Sequence, residues 1–505
     1  MASVLRNAAF LAVAKSFSVA IYALLGLVLP HFVPTGQVGV YTLMTTLLFF
    51  GSIITTFGIP TVVTRSVARA PADAAAVHAA ARSATLLGWV LSTLVLATWL
   101  AVESWLAGSF EATRWFLFGA VVVILVSDGL AGLGEAVFQG FERMAAPAGI
   151  EIVTGTLRAG GAVACMVLLP EERRLPALFG AFLLGSVVRA FLVARLMQRL
   201  PMGAAPAGAG SLRRALALVR ESLFLALFRM LRMLRNRIDL LLLGVVFVGT
   251  VPGVVGDADV ARGIYGQAMR VALVFHVLTQ ALLTALWPRI ARLTSDVGNE
   301  DDLTTQYRRT VRWQAWWAAP LAAGLFLYAD VIAGWFGSEY LNGAPEAGVS
   351  TGSGTVMRIL LVVVLLDCVS GPIGMLMMGI GRWERRLPAF GMVLAGTSVL
   401  LNLLFIPRWG ILGAAYASLG ACLVEVAVKA VILRSALGSP RLMVAALPCI
   451  VLAAAMAWGL WAAGLETRPF VGAALGGGAY LAATLALRQV DPAVLRLVRR
   501  GFRRR

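Results

Sequence analysis

The chain has 505 residues, 60% of them hydrophobic and 13% charged, with a net charge of +18. Soluble chains carry roughly a quarter charged residues and under half apolar ones. The composition, with a mean hydropathy of +0.86, therefore excludes a soluble domain and predicts an all-α polytopic membrane protein.

Crossing the hydrocarbon core takes about 20 apolar residues per helix. Fourteen segments meet that length, near residues 8–30, 38–59, 83–106, 114–134, 148–169, 175–196, 221–244, 263–287, 313–336, 356–380, 387–406, 410–433, 442–464 and 469–487. The first is too long for a signal-peptide core and lacks a small-residue cleavage site, so it reads as a span. Prolines at Pro30, Pro170, Pro288 and Pro407 mark span edges, where a helix stops.

Apart from Lys15 and Lys429 the base is all arginine. Its distribution implies cytoplasmic loops rather than a nucleic-acid surface. With the N-terminus inside, Arg65 and Arg69, Arg213 and Arg214, Arg308 and Arg309, Arg385 and Arg386, and the tail from Arg496 to Arg505 fall on the same side. Glu103, Glu111, Glu171, Glu172, Asp257 and Asp259 fall on the opposite loops. That alternation predicts both termini in the cytoplasm.

The chain repeats itself. Arg6-x-x-x-Phe10-Leu11-Ala12-x-x-Lys15 matches Arg220-x-x-x-Phe224-Leu225-Ala226-x-x-Arg229, and Gly39-Val-Tyr41 matches Gly263-Ile-Tyr265. Asp128, Gly140 and Arg143 recur at the same spacing as Asp367, Gly379 and Arg382. A repeat of six spans keeps one orientation, so two six-helix lobes related by a pseudo-twofold along the membrane normal are expected, a transporter architecture. The predicted division is 1–200 for the first lobe, 201–219 for a cytoplasmic linker, 220–436 for the second lobe, 437–488 for two further spans and 489–505 for a basic tail.

Ionisable residues inside spans carry the functional signal. A central Arg or Asp costs ~2.5–3.5 kcal/mol on insertion scales. The seventh span holds Arg229, Arg232, Arg235, Arg237 and Asp239, and the first three step by three residues along one face. Snorkelling at the cytoplasmic mouth is the competing reading, but the repeat aligns Arg229 with Lys15, well inside the first span. Arg158, Arg189 and Arg270 are further deep bases, and Asp128, Glu151, Asp367 and Glu425 deep acids. Glu425 and Lys429 are spaced for an i,i+4 pair, Asp239 for charge pairing, and Asp128 and Asp367 for one shared structural or coupling role. His276 and the four cysteines (Cys165, Cys368, Cys422, Cys449) read as packing residues, without a metal site or disulfide framework. The surplus of buried arginine favours an anionic substrate, phosphate above all, through the guanidinium's planar fork of donors.

No P-loop, H-E-x-x-H or G-x-S-x-G occurs, and the loops on the acidic side are short. Transport without covalent chemistry is the leading expectation, with no catalytic residues and no cofactor.

The stretch Asn402-Leu-Leu-Phe-Ile-Pro407-Arg-Trp-Gly410-Ile-Leu-Gly413-Ala414-Ala415 resembles a hairpin of polysaccharide flippases. Similar resemblances are carried by Asn236-Arg237-Ile-Asp239, Gly263-Ile-Tyr265-Gly-Gln-Ala268 and Leu286-Trp-Pro288-Arg-Ile-Ala-Arg292. They resemble the polysaccharide transporter branch of the multidrug/oligosaccharidyl-lipid/polysaccharide (MOP) exporter superfamily, which includes O-antigen-type flippases. The resemblance implies a flippase of the bacterial inner membrane acting on an undecaprenyl-diphosphate-linked glycan. A cationic cavity would hold the diphosphate, with Lys15, Arg158, Arg229, Arg232, Arg235 and Arg270 as its candidate residues. Asp239, Asp128 and Asp367 would serve coupling or charge pairing, with a proton or sodium gradient or the membrane potential as energy source. Membrane lipids, a polysaccharide polymerase and glycosyltransferases are the partners this implies. A multidrug exporter of the same superfamily, which would line its cavity with acids, a membrane-embedded glycosyltransferase or ligase, and a recruiting scaffold are the alternatives.

Overall fold

A computed structural model describes residues 21–22, 24–107, 111–203, 205–206, 208–274, 300–379, 387–437 and 444–487. In hydrocarbon each backbone polar group must be satisfied within the protein, and a helix does this within itself. The described chain is accordingly helical, with a single isolated bridge between Ala344 and Val349 as its only β pairing. The helices are α1 (Thr35–Thr56), α2 (Ile59–Arg69), α3 (Ala74–Leu106), α4 (Ala112–Gly140), α5 (Ala145–Leu168), α6 (Glu171–Met197) and α7 (Leu212–Val246). There follow α8 (258–274), α9 (Glu300–Leu327), α10 (Ala329–Phe336), α11 (Ser338–Asn342), α12 (Ser353–Gly379), α13 (Leu387–Leu437), α14 (Leu447–Ala462) and α15 (Pro469–Ala486).

Among the described residues nine helices are long and apolar enough to cross a membrane, or ten if α9 and α10, bent by 63°, form one span. The polytopic all-α expectation holds. The predicted first span falls mostly outside the described residues, as does the second half of the eighth. The two predicted spans at 387–406 and 410–433 form α13, broken at Gly410. Gly410 takes φ 55° and ψ −128°, a conformation that a residue with a Cβ avoids. A Cβ on Gly413 would lie 2.1 Å from the Phe405 carbonyl oxygen. The hairpin motif read in the sequence thus has a steric reason for its glycines.

The chain forms two compact units. The first comprises the residues up to Val246 together with Ala258–Gly263, the second Phe247–Asp257 and the residues from Ile264 onward. In the first unit α6 packs on α4 and α5, and α3 on α1, α4 and α7. One cluster of its core joins Val63 and Val67 of α2, Val137 of α4, Val193 of α6 and Ala215 of α7. In the second unit α12 packs on α9 and α13, and α14 on α9 and α15.

The linker expected over 201–219 is helical from Leu212, because Arg213, Arg214 and Arg220 extend α7 as an amphipathic stem beyond its apolar stretch. α7 lies within the first compact unit. Its stem is tied there by the Arg65–Glu221 ion pair, and its middle by the Arg237 guanidinium, 5.2 Å from the centre of the Phe49 ring.

Candidate functional site

Two clusters of buried and half-buried charge lie in the first unit, and both are ion-paired. The first lies on α4, α5 and α6. Arg158 donates to Asp128 at 2.6 Å and to the Ser186 hydroxyl at 2.7 Å. Arg189 holds Glu135 through both fork arms, at 2.9 and 3.0 Å, and lies 3.4 Å from each of Asp128 and Glu151. Two guanidiniums therefore face three carboxylates. Arg158, one of the candidate residues for an anionic substrate, is ion-paired with Asp128, and an unpaired cation at such depth costs several kcal/mol.

The second cluster joins α3, α4, α7 and the leading turn of α8. Arg262 is 0% exposed and Glu103 1%. The two form a forked pair at 2.6 and 2.8 Å, while Arg262 Nε donates to the Leu240 carbonyl at 2.9 Å and Nη1 to Asp259 at 3.3 Å. Arg114 bridges Asp259, Glu111 and Glu103. The sequence places Glu103 and Asp259 on exposed loops. Instead both are buried, because a guanidinium from elsewhere in the chain compensates each. The i,i+3 spacing of Asp259 and Arg262 was the available signal, and hydropathy alone masks it.

The middle of α7 differs. Arg229, Arg232 and Asn236, spaced by three and four residues, share one face and are all exposed. Arg229 and Arg232 form no ion pair among the described residues. Arg235, beside this face, donates to Asn236 at 2.9 Å. Asp239, one turn further, is buried and caps the Leu240 amide at 2.8 Å. Arg232 precedes the end of α7 by 14 residues, about 21 Å along the axis, so this face lies deep in the helix.

In the second unit Arg270 is half-buried and donates to Gln267 at 2.9 Å. Lys429 pairs with Glu425 at 2.6 Å, as the i,i+4 spacing predicts, and donates to Ser370 on α12 at 3.0 Å. Asp367 is half-buried on α12. Lys15 and His276 lie outside the described residues. Among the described residues no group of three His, Cys, Asp or Glu side chains is placed to hold a metal.

The second unit also contains a cavity of about 540 Å³ among α9, α10, α14 and α15. Its walls include Trp316, Leu321, Met456, Leu460, Phe470 and Leu481, and the lining is almost wholly apolar.

No curated protein sequence matches the chain. Several solved structures share its fold. A lipid II flippase, MurJ, in an inward closed conformation aligns over 95% of this chain and 98% of its own, at 11% identity and TM-score 0.73. An inward-facing multidrug resistance MATE family transporter of the MOP superfamily aligns over 83% and 95%, at 15% identity and TM-score 0.61. A MOP superfamily transporter from Pyrococcus furiosus, described as having a binding pocket of reverse polarity, aligns over 86% and 96%, at 17% identity and TM-score 0.54. Residues 4–294 match the family described as polysaccharide biosynthesis protein, more than half of the chain. The chain is a multi-pass membrane protein of transporter fold and belongs to the polysaccharide biosynthesis protein family.

Proposed function

We propose that this protein is a flippase that carries a lipid-diphosphate-linked oligosaccharide across the bacterial inner membrane by alternating access, for cell-surface polysaccharide synthesis. The observation that carries the reading is the exposed arginine face of α7. Two arginines facing lipid at mid-helix would cost about 5–7 kcal/mol, whereas Arg158, Arg189 and Arg262 of the first unit are compensated by carboxylates. An uncompensated basic face deep in a membrane helix requires water or an anion beside it. Diphosphate suits it, because each guanidinium presents a planar fork of donors. The apolar cavity of the second unit offers a place for part of a lipid chain. Membership of the polysaccharide biosynthesis family supports a glycan as cargo, and the fold of a lipid II flippase supports lipid linkage.

On this reading both termini face the cytoplasm, the undecaprenyl chain stays in the membrane, and no covalent step is needed. A proton or sodium gradient or the membrane potential drives the cycle, and a polymerase and glycosyltransferases act before and after it. The MATE-like fold favours a second reading, drug export, but cationic drugs would be repelled by Arg229 and Arg232. Deleting the gene and extracting lipid-linked glycans tests both readings. A flippase leaves intermediates accumulated on the cytoplasmic leaflet and surface polysaccharide lost. Unchanged glycans with new sensitivity to cationic drugs would establish the second reading instead.

A further inference from the structure

Thr45, Phe49, Ser52 and Thr56 of α1 are spaced by four, three and four residues, so they share one face of the helix. Phe49 and Ser52 are exposed, and Thr45 and Thr56 half-buried. Each hydroxyl of this face donates to the backbone of α1 itself. Thr45 bonds the Tyr41 carbonyl at 2.8 Å, Ser52 that of Phe49 at 2.8 Å and Thr56 that of Ser52 at 2.7 Å. A hydroxyl has one hydrogen and two lone pairs. With the hydrogens committed inward, the face presents acceptors around an aromatic ring.

Back-bonded hydroxyls and a phenylalanine would also suit a face turned to lipid. Arg237 of α7 argues against that. Its guanidinium lies 5.2 Å from the centre of the Phe49 ring. It also precedes the end of α7 by nine residues, about 14 Å along the axis. A guanidinium held at that depth requires polar surroundings. Half of Phe49 is exposed beside it.

The chemistry of the face selects its ligand. The negative face of an aromatic ring attracts groups of slight positive charge, C–H groups included. The hydroxyl lone pairs call for donors. A pyranose supplies both, with C–H groups across one side of its ring and hydroxyls around the rim. A phosphate is an acceptor, and a cationic drug would meet Arg237. We propose that this face of α1 is a sugar subsite, with a pyranose stacked on Phe49 and its hydroxyls donating to Thr45, Ser52 and Thr56. Asn236, beside Arg237, belongs to the exposed arginine face of α7. Arg237 follows Arg232 by five residues, about 8 Å along the axis. A diphosphate on Arg229 and Arg232 therefore brings the first sugars of its glycan towards Phe49. That the cargo is a diphosphate-linked glycan rests on the function proposed above.

The test measures binding to the purified full-length protein in lipid nanodiscs. Its two probes differ only in the glycan: undecaprenyl diphosphate, and the undecaprenyl-diphosphate-linked oligosaccharide extracted from cells lacking this gene. The parent protein should prefer the glycosylated probe by about tenfold, the scale of one aromatic contact. Phe49→Leu keeps the apolar bulk that a lipid-facing residue would need but removes the ring. It should abolish that preference and leave binding of the sugar-free probe unchanged, while Phe49→Trp should retain the preference. Ser52→Ala combined with Thr56→Val should weaken the glycosylated probe alone, severalfold. If Phe49→Leu fails to fold, this pair decides, and the absence of a selective loss overturns the subsite. A parent that binds both probes equally, or a Phe49→Leu variant that keeps the preference or loses both probes alike, would overturn the subsite while leaving the proposed function standing. Binding of neither probe by the parent would count against the proposed function, and the subsite would fall with it.

Discussion

Replacing Arg189 by alanine should cost more than replacing its partner Glu135, although the two lose the same forked pair. The cluster holds two guanidiniums and three carboxylates among the described residues. Arg189→Ala leaves Asp128, Glu135 and Glu151 with Arg158 alone, a surplus of two negative charges in a poorly hydrated site. Breaking a buried pair in that sense costs about 3–5 kcal/mol. Glu135→Ala leaves Arg189 within 3.4 Å of both Asp128 and Glu151, in a cluster that is now neutral. Its cost should be nearer the ~1–3 kcal/mol of a lost charged hydrogen bond. The double variant restores the original surplus and should fall below the sum of the singles by at least about 1 kcal/mol, within the range of coupling between contacting residues. Tryptophan-fluorescence melting in detergent micelles, with monodispersity checked by size exclusion, orders the three variants. Equal losses for the single variants, or simple additivity in the double, would refute the charge count.

Three further outcomes follow from the same geometry. Arg232→Ala combined with Arg229→Ala should reduce export at least tenfold with thermal stability within about 0.5 kcal/mol of the parent, as for surface changes, and the paired lysine variant should retain part of the export. Gly410→Ala should lower stability by ~1–2 kcal/mol, read by the same melting assay, because it forces a Cβ into a strained backbone conformation. Gly477→Trp, placed in the wall of the apolar cavity where a Cβ meets nothing within 4 Å, should leave the protein folded but slow export of the lipid-linked substrate, measured by leaflet-specific extraction.

The nine or ten membrane-spanning helices among the described residues were legible because the bilayer permits little besides helices, and hydropathy reads them directly. Pro407, Gly410 and Gly413 announced a hairpin whose glycines the backbone requires. The pairing of Glu425 with Lys429 was legible for a simpler reason: both sit on one helix, one turn apart. Pairings across helices were hidden. Glu103 is separated from Arg262 by 159 residues, and nothing local distinguishes it from a solvated loop acid. Arg158 and its partner Asp128 are 30 residues apart and on different helices.

The two ways of compensating charge carry a consequence for biogenesis. Glu425 and Lys429 neutralise each other within α13 alone. Asp128 and Glu135 are on α4, Glu151 and Arg158 on α5, and Arg189 on α6. None of these three helices is fully compensated by itself, and each charge placed in lipid before its partner arrives costs ~2.5–3.5 kcal/mol. Joint entry of α4, α5 and α6 into the bilayer avoids that cost, so the ion pairs that hold the finished first unit together also favour insertion of its helices as one group.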